Sequence, residues 1–432
     1  MATTNAIRGA AQAPISADVA IATGATRVLV LSTIAFTLLF AVWLMFGVLG
    51  VPISAELHLT KIEFSWLTAT AVLSGSIWRL PLGIVTDRVG GRRLMLALLL
   101  VSAVPCLLVS YTHSYRGMLL CALGFGLAGN SFSVGIAWNA AWASRGNQGF
   151  TLGVFGAGNV GASVTKLIGP MLITLVPAAG VLGGLVPGSW RIVPILYAAL
   201  LVAMTVIVAL AAPLPDRTPS VSRSIAEMLK PLAQMRTWRF GLYYVAVFGV
   251  YVALSLWLPS YYVNVYHLSL SQGALLTALF IFPASLLRPL GGWLSDRLGP
   301  RPVTYVVFVA MVAACLPGAL WHQLPLAAFV ACIELLGIAM GIGKASVYKY
   351  IPEYFPRDVG AAGGLVGSLG ALGGFFLPIG FGYLETASGR PESCLWLVGA
   401  LAAWCLGWLH VVVLRLRREQ RGAGHDRLHA LA

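Results

Sequence analysis

The sequence predicts an all-α membrane protein whose twelve transmembrane helices form two pseudo-symmetric six-helix bundles. Three observations predict it. Of the 432 residues, 59% are hydrophobic and 10% charged, where a soluble chain carries roughly 25% charged residues. Apolar runs recur along the chain, each long enough to cross a hydrocarbon core of about 30 Å, which takes about 20 helical residues. The second half also repeats motifs of the first at a constant offset, as Arg79 and Arg288 show.

The elements follow in order. Residues 1–28 are polar and alanine-rich, without the basic start and short apolar core of a cleaved signal peptide, and are expected to be a cytoplasmic tail. Six runs at roughly 29–51, 65–86, 94–111, 115–138, 149–177 and 190–212 make a first bundle, 29–212. Residues 213–238, "PLPDRTPSVSRSIAEMLKPLAQMRTW", are polar and read as a cytoplasmic linker. Runs at roughly 239–264, 271–293, 302–321, 324–350, 359–385 and 393–416 make the second bundle, 239–416, before a polar tail, 417–432.

Basic residues cluster in alternate loops: "DRVGGRR" after the second run, "SRGNQ" with Arg145 after the fourth, Arg217, Arg223, Lys230, Arg236 and Arg239 around the linker, "DRLGPR" after the eighth and "RLRREQR" after the twelfth. With twelve spans these share one side, which the positive-inside rule makes the cytoplasm, with both termini there. The net charge of +14 is thereby a property of membrane loops and not of a nucleic-acid binder. Cys106, Cys121, Cys315, Cys332, Cys394 and Cys405 lie in or beside apolar runs and form no CxxC pair, so they read as packing residues. The seven histidines have no metal-ligand spacing, and "GAGNVG" lacks the strand and acidic residue of a dinucleotide fingerprint. No cofactor, metal or enzymatic chemistry is expected.

The repeat is specific. "WRLPLGIVTDRVGGRR" returns as "LRPLGGWLSDRLGPRP", matching Arg79 with Arg288, Gly83 with Gly292, Asp87 with Asp296, Arg88 with Arg297 and Gly90 with Gly299. Two glycine-rich helices also correspond, "GVFGAGNVGASVTKLIGP" from Gly153 and "GLVGSLGALGGFFLPIGFG" from Gly364. Parallel halves with a site between them near the midplane are the plan of a secondary transporter.

Arg79 lies about 12 Å of helix from Asp87, at 1.5 Å per residue, and Arg288 has the same spacing from Asp296. A charge at that depth costs about 2.5–3.5 kcal/mol on an insertion scale and tends to be functional. Neither arginine has a matching acidic residue in mid-helix, so the missing counter-charge is expected to be an anionic substrate. A planar guanidinium fork suits a planar trigonal oxyanion. Gly156, Gly158, Gly367 and Gly370 allow close helix approach and leave backbone beside a small ion.

The motif G-x-x-x-D-R-x-G-G-R-R at Gly83–Arg93 resembles the loop 2–3 signature of the major facilitator superfamily. "GAGNVG" and "GLVGSLGALGGFFLP" resemble the paired nitrate signatures of its nitrate/nitrite porter family, the NarK-type transporters, and the resemblance covers nearly all of 29–416. It implies nitrate, and alternatively nitrite, as substrate, and it implies that Asn159, Phe46, Phe132 and Tyr244 face the ion beside the arginines.

The family contains proton-coupled importers and nitrate/nitrite exchangers. Moving an anion into a cell that is negative inside costs about 2.3 kcal/mol per 100 mV, so uphill symport needs more than one proton per nitrate. Lys344, Lys166 and Glu334 are intramembrane ionisable groups available for such coupling, because an arriving anion favours a protonated lysine beside it. "GKASVYK", from Gly343 to Lys349, also resembles the helix-10 pattern of the symporting branch. The expected function is therefore nitrate/proton symport by alternating access in the cytoplasmic (inner) membrane. The alternatives are nitrate/nitrite exchange, an anion channel, or a small-carboxylate porter. The expected partners are nitrate, protons and the lipid bilayer; the oligomeric state is left open, a monomer included.

Overall fold

The computed structural model describes residues 3–143, 148–177, 180–181, 186–218, 224, 226–227, 230–355 and 359–429. Arg145 and Arg223, counted above among the basic loops, lie outside them.

Twelve helical spans run back and forth: α1 Ala22–Leu57, α2 Lys61–Thr86, α3 Gly91–Val109, α4 Tyr115–Trp142, then α5 through Gln148–Ala157, Gly158–Val160 and Gly161–Leu175, and α6 Ser189–Ala211. The second half holds α7 Met235–Tyr266, α8 Leu270–Leu298, α9 Pro300–Leu320, α10 Leu326–Ile351, α11 Ala362–Ser388 and α12 Ser393–Leu416. Among the described residues eleven of these are long and apolar enough to cross a membrane. The other, α5, is diluted by its glycines, Asn159 and Lys166, a first sign that it lines something polar. The helix of α1 begins at Thr3, within the expected tail 1–28, and that of α12 continues to His429, through most of 417–432. Helix α7 begins inside the expected linker.

The sequence repeat is repeated in backbone detail at the same offset. His58 and His267 both adopt left-handed φ values, 51° and 55°, ending the preceding helices. Thr60 with Glu63, and Ser269 with Gln272, then form reciprocal capping boxes that start α2 and α8. Both helices break one residue before their arginine, at Trp78 and Leu287. Gly90 and Gly299 take φ of 95° and 81°, which strains any residue with a Cβ, and so turn the chain into α3 and α9.

The linker end of the first bundle is tied by a group that sequence patterning did not single out. The Asp216 carboxylate accepts the Arg92 backbone N–H at 2.9 Å and the indole N–H groups of Trp138 and Trp142 at 3.0 and 3.3 Å. It thereby caps α3 and clamps α4 to it. In the second bundle Lys349 pairs with Asp296. At the opposite end, called the far end below, the halves themselves are joined: Lys61 of α2 meets Glu385 of α11 at 2.6 Å, and Trp257 of α7 meets the rings of Phe64 and Phe381 at interplanar angles of 55° and 65°.

Replacing Asp216 with Ala strands two indole donors and an uncapped helix start. It is expected to lower stability by about 3 kcal/mol, since hydrogen bonds to a charged group are worth roughly 1.5–3 kcal/mol each. Thermal unfolding of the detergent-solubilised protein measures it.

Candidate functional site

The helix breaks at Trp78 and Leu287 leave Arg79 and Arg288 as the first residues of new helical segments, free to swing toward the seam between the bundles. Arg79 is 0% exposed and Arg288 9%. Each reaches across to the glycine-rich helix of the other half. Arg79 Nη1 donates to the Gly367 carbonyl of α11 at 3.4 Å, and Arg288 Nη1 to the Gly156 carbonyl of α5 at 3.4 Å. Arg79 Nε donates to Gly75 at 2.9 Å, and its Nη2 is buried without a partner. Neither arginine makes an ion pair among the described residues. Two buried charges are thus held by backbone carbonyls, the two across the seam at long range, and an anion is the group the arrangement lacks.

Aromatic rings supply the rest of the surroundings. The Phe132 ring lies between the pair, with its centroid 5.7 Å from the Arg79 guanidinium carbon and 5.6 Å from that of Arg288. Trp43 and Phe248 flank Arg79 at 5.2 and 5.3 Å. Such cation–π contacts are worth about 2 kcal/mol when desolvated, too little to replace a counter-ion. Tyr244 stacks on Phe248 with centroids 5.0 Å apart and meets the edge of Tyr348 at 4.7 Å. Its hydroxyl is buried without a well-formed hydrogen bond, within electrostatic reach of both arginines.

The glycines divide by role. The carbonyls of Gly156 and Gly367 receive the arginines. A Cβ on Gly370 would stand 2.1 Å from the Tyr244 ring, so glycine there lets α11 press that ring toward the site. Gly158 faces Phe36 and Thr37 of α1 and packs α5 within its own bundle. Asn159, in the 3-10 turn of α5, is fully buried, and both its amide nitrogen and oxygen lack partners. Its backbone carbonyl accepts the Tyr251 hydroxyl at 3.2 Å.

The lysines are buried too. Lys344 Nζ donates to the Ala284 carbonyl at 2.8 Å, lies 3.2 Å from the centroid of the Tyr251 ring and is close to Arg288. Lys166 Nζ lies 3.3 Å from the Leu44 carbonyl. Glu334 stands ten residues, about 15 Å, along α10 from Lys344, near Tyr262, with one oxygen buried and unpartnered. It is not brought to the arginines.

Phe46 is not brought there either; its ring packs edge-on against Phe125, with centroids 4.9 Å apart. The chain breaks its helix at Leu44 and Met45, which rotates Phe46 off the face that carries Trp43. Trp43, Phe248, Tyr251 and Tyr348 escaped the sequence search. The signal was available for three of them: Phe248 and Tyr251 follow Tyr244 by four and seven residues, and Tyr348 follows Lys344 by four, so each shares a helix face with a residue already singled out.

The comparisons with known proteins agree with this architecture. The sequence model described as Major Facilitator Superfamily matches residues 31–284 and 265–429. A protein of Thermus thermophilus named "Probable nitrate/nitrite antiporter NarK1" is 54% identical over 91% of this chain and 93% of its own. The chain belongs to the nitrate/nitrite porter family of the major facilitator superfamily. Other members include "Probable nitrate/nitrite transporter NarK2" of Mycobacterium tuberculosis, 32% identical over 82% of this chain and 88% of its own. "Nitrite extrusion protein" of Bacillus subtilis is 29% identical over 81% and 85%. A bacterial homologue of the human lysosomal transporter Spinster, solved in an inward-facing, unoccupied conformation, shares the fold. Its TM-score is 0.67 at 17% identity, over 90% of this chain and 94% of that one. Porters of this family are transporters and not enzymes.

Exchange for lysine tests the arginine pair. Arg79→Lys and Arg288→Lys keep the charge but lose the fork and the reach to the opposite carbonyl. Each is expected to reduce nitrate uptake at least about a hundredfold, as a buried charge-assisted pair of hydrogen bonds implies, with membrane insertion unchanged. Initial-rate uptake into proteoliposomes checks it.

Proposed function

We propose that this porter carries nitrate, and nitrite as a lesser substrate, across the cytoplasmic membrane by alternating access, with nitrate entry coupled to protons. The observation that carries the ion is the pair of buried, unneutralised arginines contributed by opposite halves and meeting around one phenyl ring. The printed names of the relatives, all nitrate or nitrite transporters, support the same ion. The linker and the basic loops are placed in the cytoplasm, where the positive-inside rule puts them, and the far end outside.

The geometry of the grip supports alternating access. Each arginine belongs to one half and touches a carbonyl of the other, so an anion bound between them draws both halves to one centre. Releasing it returns two like charges to the seam and favours opening.

One of the coupled protons is assigned to Lys344. Its ammonium is fully buried beside Arg288, and no carboxylate balances it among the described residues. A bound nitrate removes one unit of positive charge from the site and favours the protonated lysine; an empty site favours its release. Exchange is the second reading, favoured by the word "antiporter" in the name of the Thermus relative. Exchange of equal charges needs no proton and no field compensation.

Nitrate added to proteoliposomes that contain no nitrite is expected to make the outer medium more alkaline as protons enter with the ion. Lys344→Gln is expected to abolish the alkalinisation while nitrate still exchanges for loaded nitrite. Uptake that occurs only with nitrite inside, and without a pH change, would establish exchange instead.

A further inference from the structure

Helix α5 has two faces with different work. Gly158, Gly161 and Thr165 lie against α1. A Cβ on Gly161 would stand 2.0 Å from the Thr37 carbonyl, and Thr165 Oγ1 donates to Ala41 at 3.1 Å. The other face carries Gly156, Asn159, Ser163 and Lys166, spaced three, four and three residues apart, hence one above another. Gly156 touches Arg288, and Asn159 joins Tyr251 of α7. Lys166 Nζ lies where α1 crosses α7: it is 3.3 Å from where a Cβ on Gly47 would stand, and Gly47 itself presses on Ser255 and Leu256. This face follows the seam between the halves from the arginine pair toward the far end for about 15 Å.

Its side chains lack partners. Asn159 Nδ2 and Oδ1 and Ser163 Oγ are buried and make no hydrogen bond. Lys166 is 1% exposed, and among the described residues no other charged side chain lies close to it and its ammonium makes one hydrogen bond, a long one to a carbonyl. That bond uses one of three ammonium donors. Pinning the α1 break would explain it, but would leave Ser163 and Asn159 without a purpose. Buried polar groups are as a rule hydrogen-bonded, and a file of amide, hydroxyl and ammonium donors is completed by an anion. At the far end of the seam lies a crevice of about 80 Å³ lined by Thr60, Lys61, Trp257, Ser260 and Glu385.

We infer that α5 holds a second position for a small oxyanion, formed by Lys166, Ser163 and the Asn159 amide, through which the ion passes between the arginine pair and the far side. The identity of that ion as nitrate rests on the function proposed above.

The test is nitrate uptake from each face of oriented proteoliposomes containing the full-length wild type, Lys166→Gln or Lys166→Arg, with thermal unfolding as the check on folding. Lys166→Gln is expected to raise KM at the far face about tenfold, the loss of one charge-assisted hydrogen bond. KM at the linker face and the melting temperature stay unchanged, and Lys166→Arg restores the far-face value. Unchanged KM at both faces, or equal rises at both with a lower melting temperature, would overturn the inference. So would loss of proton coupling at unchanged KM, which would make Lys166 a proton carrier. A wild type that moves no nitrate would overturn the proposed function and the ion's identity together; nitrate transport indifferent to Lys166 would overturn this inference alone.

Discussion

Two guanidinium groups without a carboxylate are buried at the seam of the two bundles, and much of the surrounding structure serves to hold them there. Helices α2 and α8 each break one residue before their arginine, which begins a new helical segment and reaches the backbone of the opposite half. The receiving carbonyls must come close, and they belong to glycine-rich helices. The charges must not be shared with water, and Trp43, Phe132, Phe248 and Tyr244 wall them in. Carbonyl and ring contacts repay only part of the desolvation of two cations. The deficit is available to a bound anion, and in the cycle proposed above, because the arginines come from different halves, it draws the halves together.

The pseudo-symmetry sets the frame and its violations set the chemistry. The left-handed caps at His58 and His267, the capping boxes, the breaks and the positive-φ glycines all repeat. The carbonyls that receive the arginines, Gly156 and Gly367, are 211 residues apart, so the register of the glycine-rich helices is shifted by two residues from the 209 of the arginine helices. Ser368, next to Gly367, has a hydroxyl that like the Asn159 amide is buried without a partner. At the offset of 209, however, Lys344 falls on Gly135 and Phe132 on Gly341. One half thus supplies the central ring and the other the central lysine. A site with a single ion needs its contents once, whereas a barrier that opens on alternate sides needs its scaffold twice.

Legibility in the sequence followed the range of the interaction. The arginines were legible because charge in an apolar run is locally anomalous, and Asn159 because it interrupts a run of glycines. The capping boxes were equally local, and Thr60 with Glu63 could have been found from the spacing alone. Asp216 was not legible as a clamp, because its partners Arg92, Trp138 and Trp142 lie far from it along the chain. Phe46 was placed by likeness of sequence, and the turn at Leu44 and Met45 put Trp43 against Arg79 in its stead.

By itself the sequence determined the all-helical membrane class, the two-fold plan and the two buried charges. Hydrophobic length and misplaced charge are written within a single helix, and the motif offset is read by setting one stretch of sequence against another, without knowing how the helices pack. The tertiary structure decided which carbonyl each arginine grips, which ring lies between them, and that Lys344 rather than Glu334 stands beside Arg288. Those outcomes depend on how helices far apart in the chain rotate and cross, and a rotation of one residue, 100° on a helix, is enough to exchange a lining side chain for a packing one.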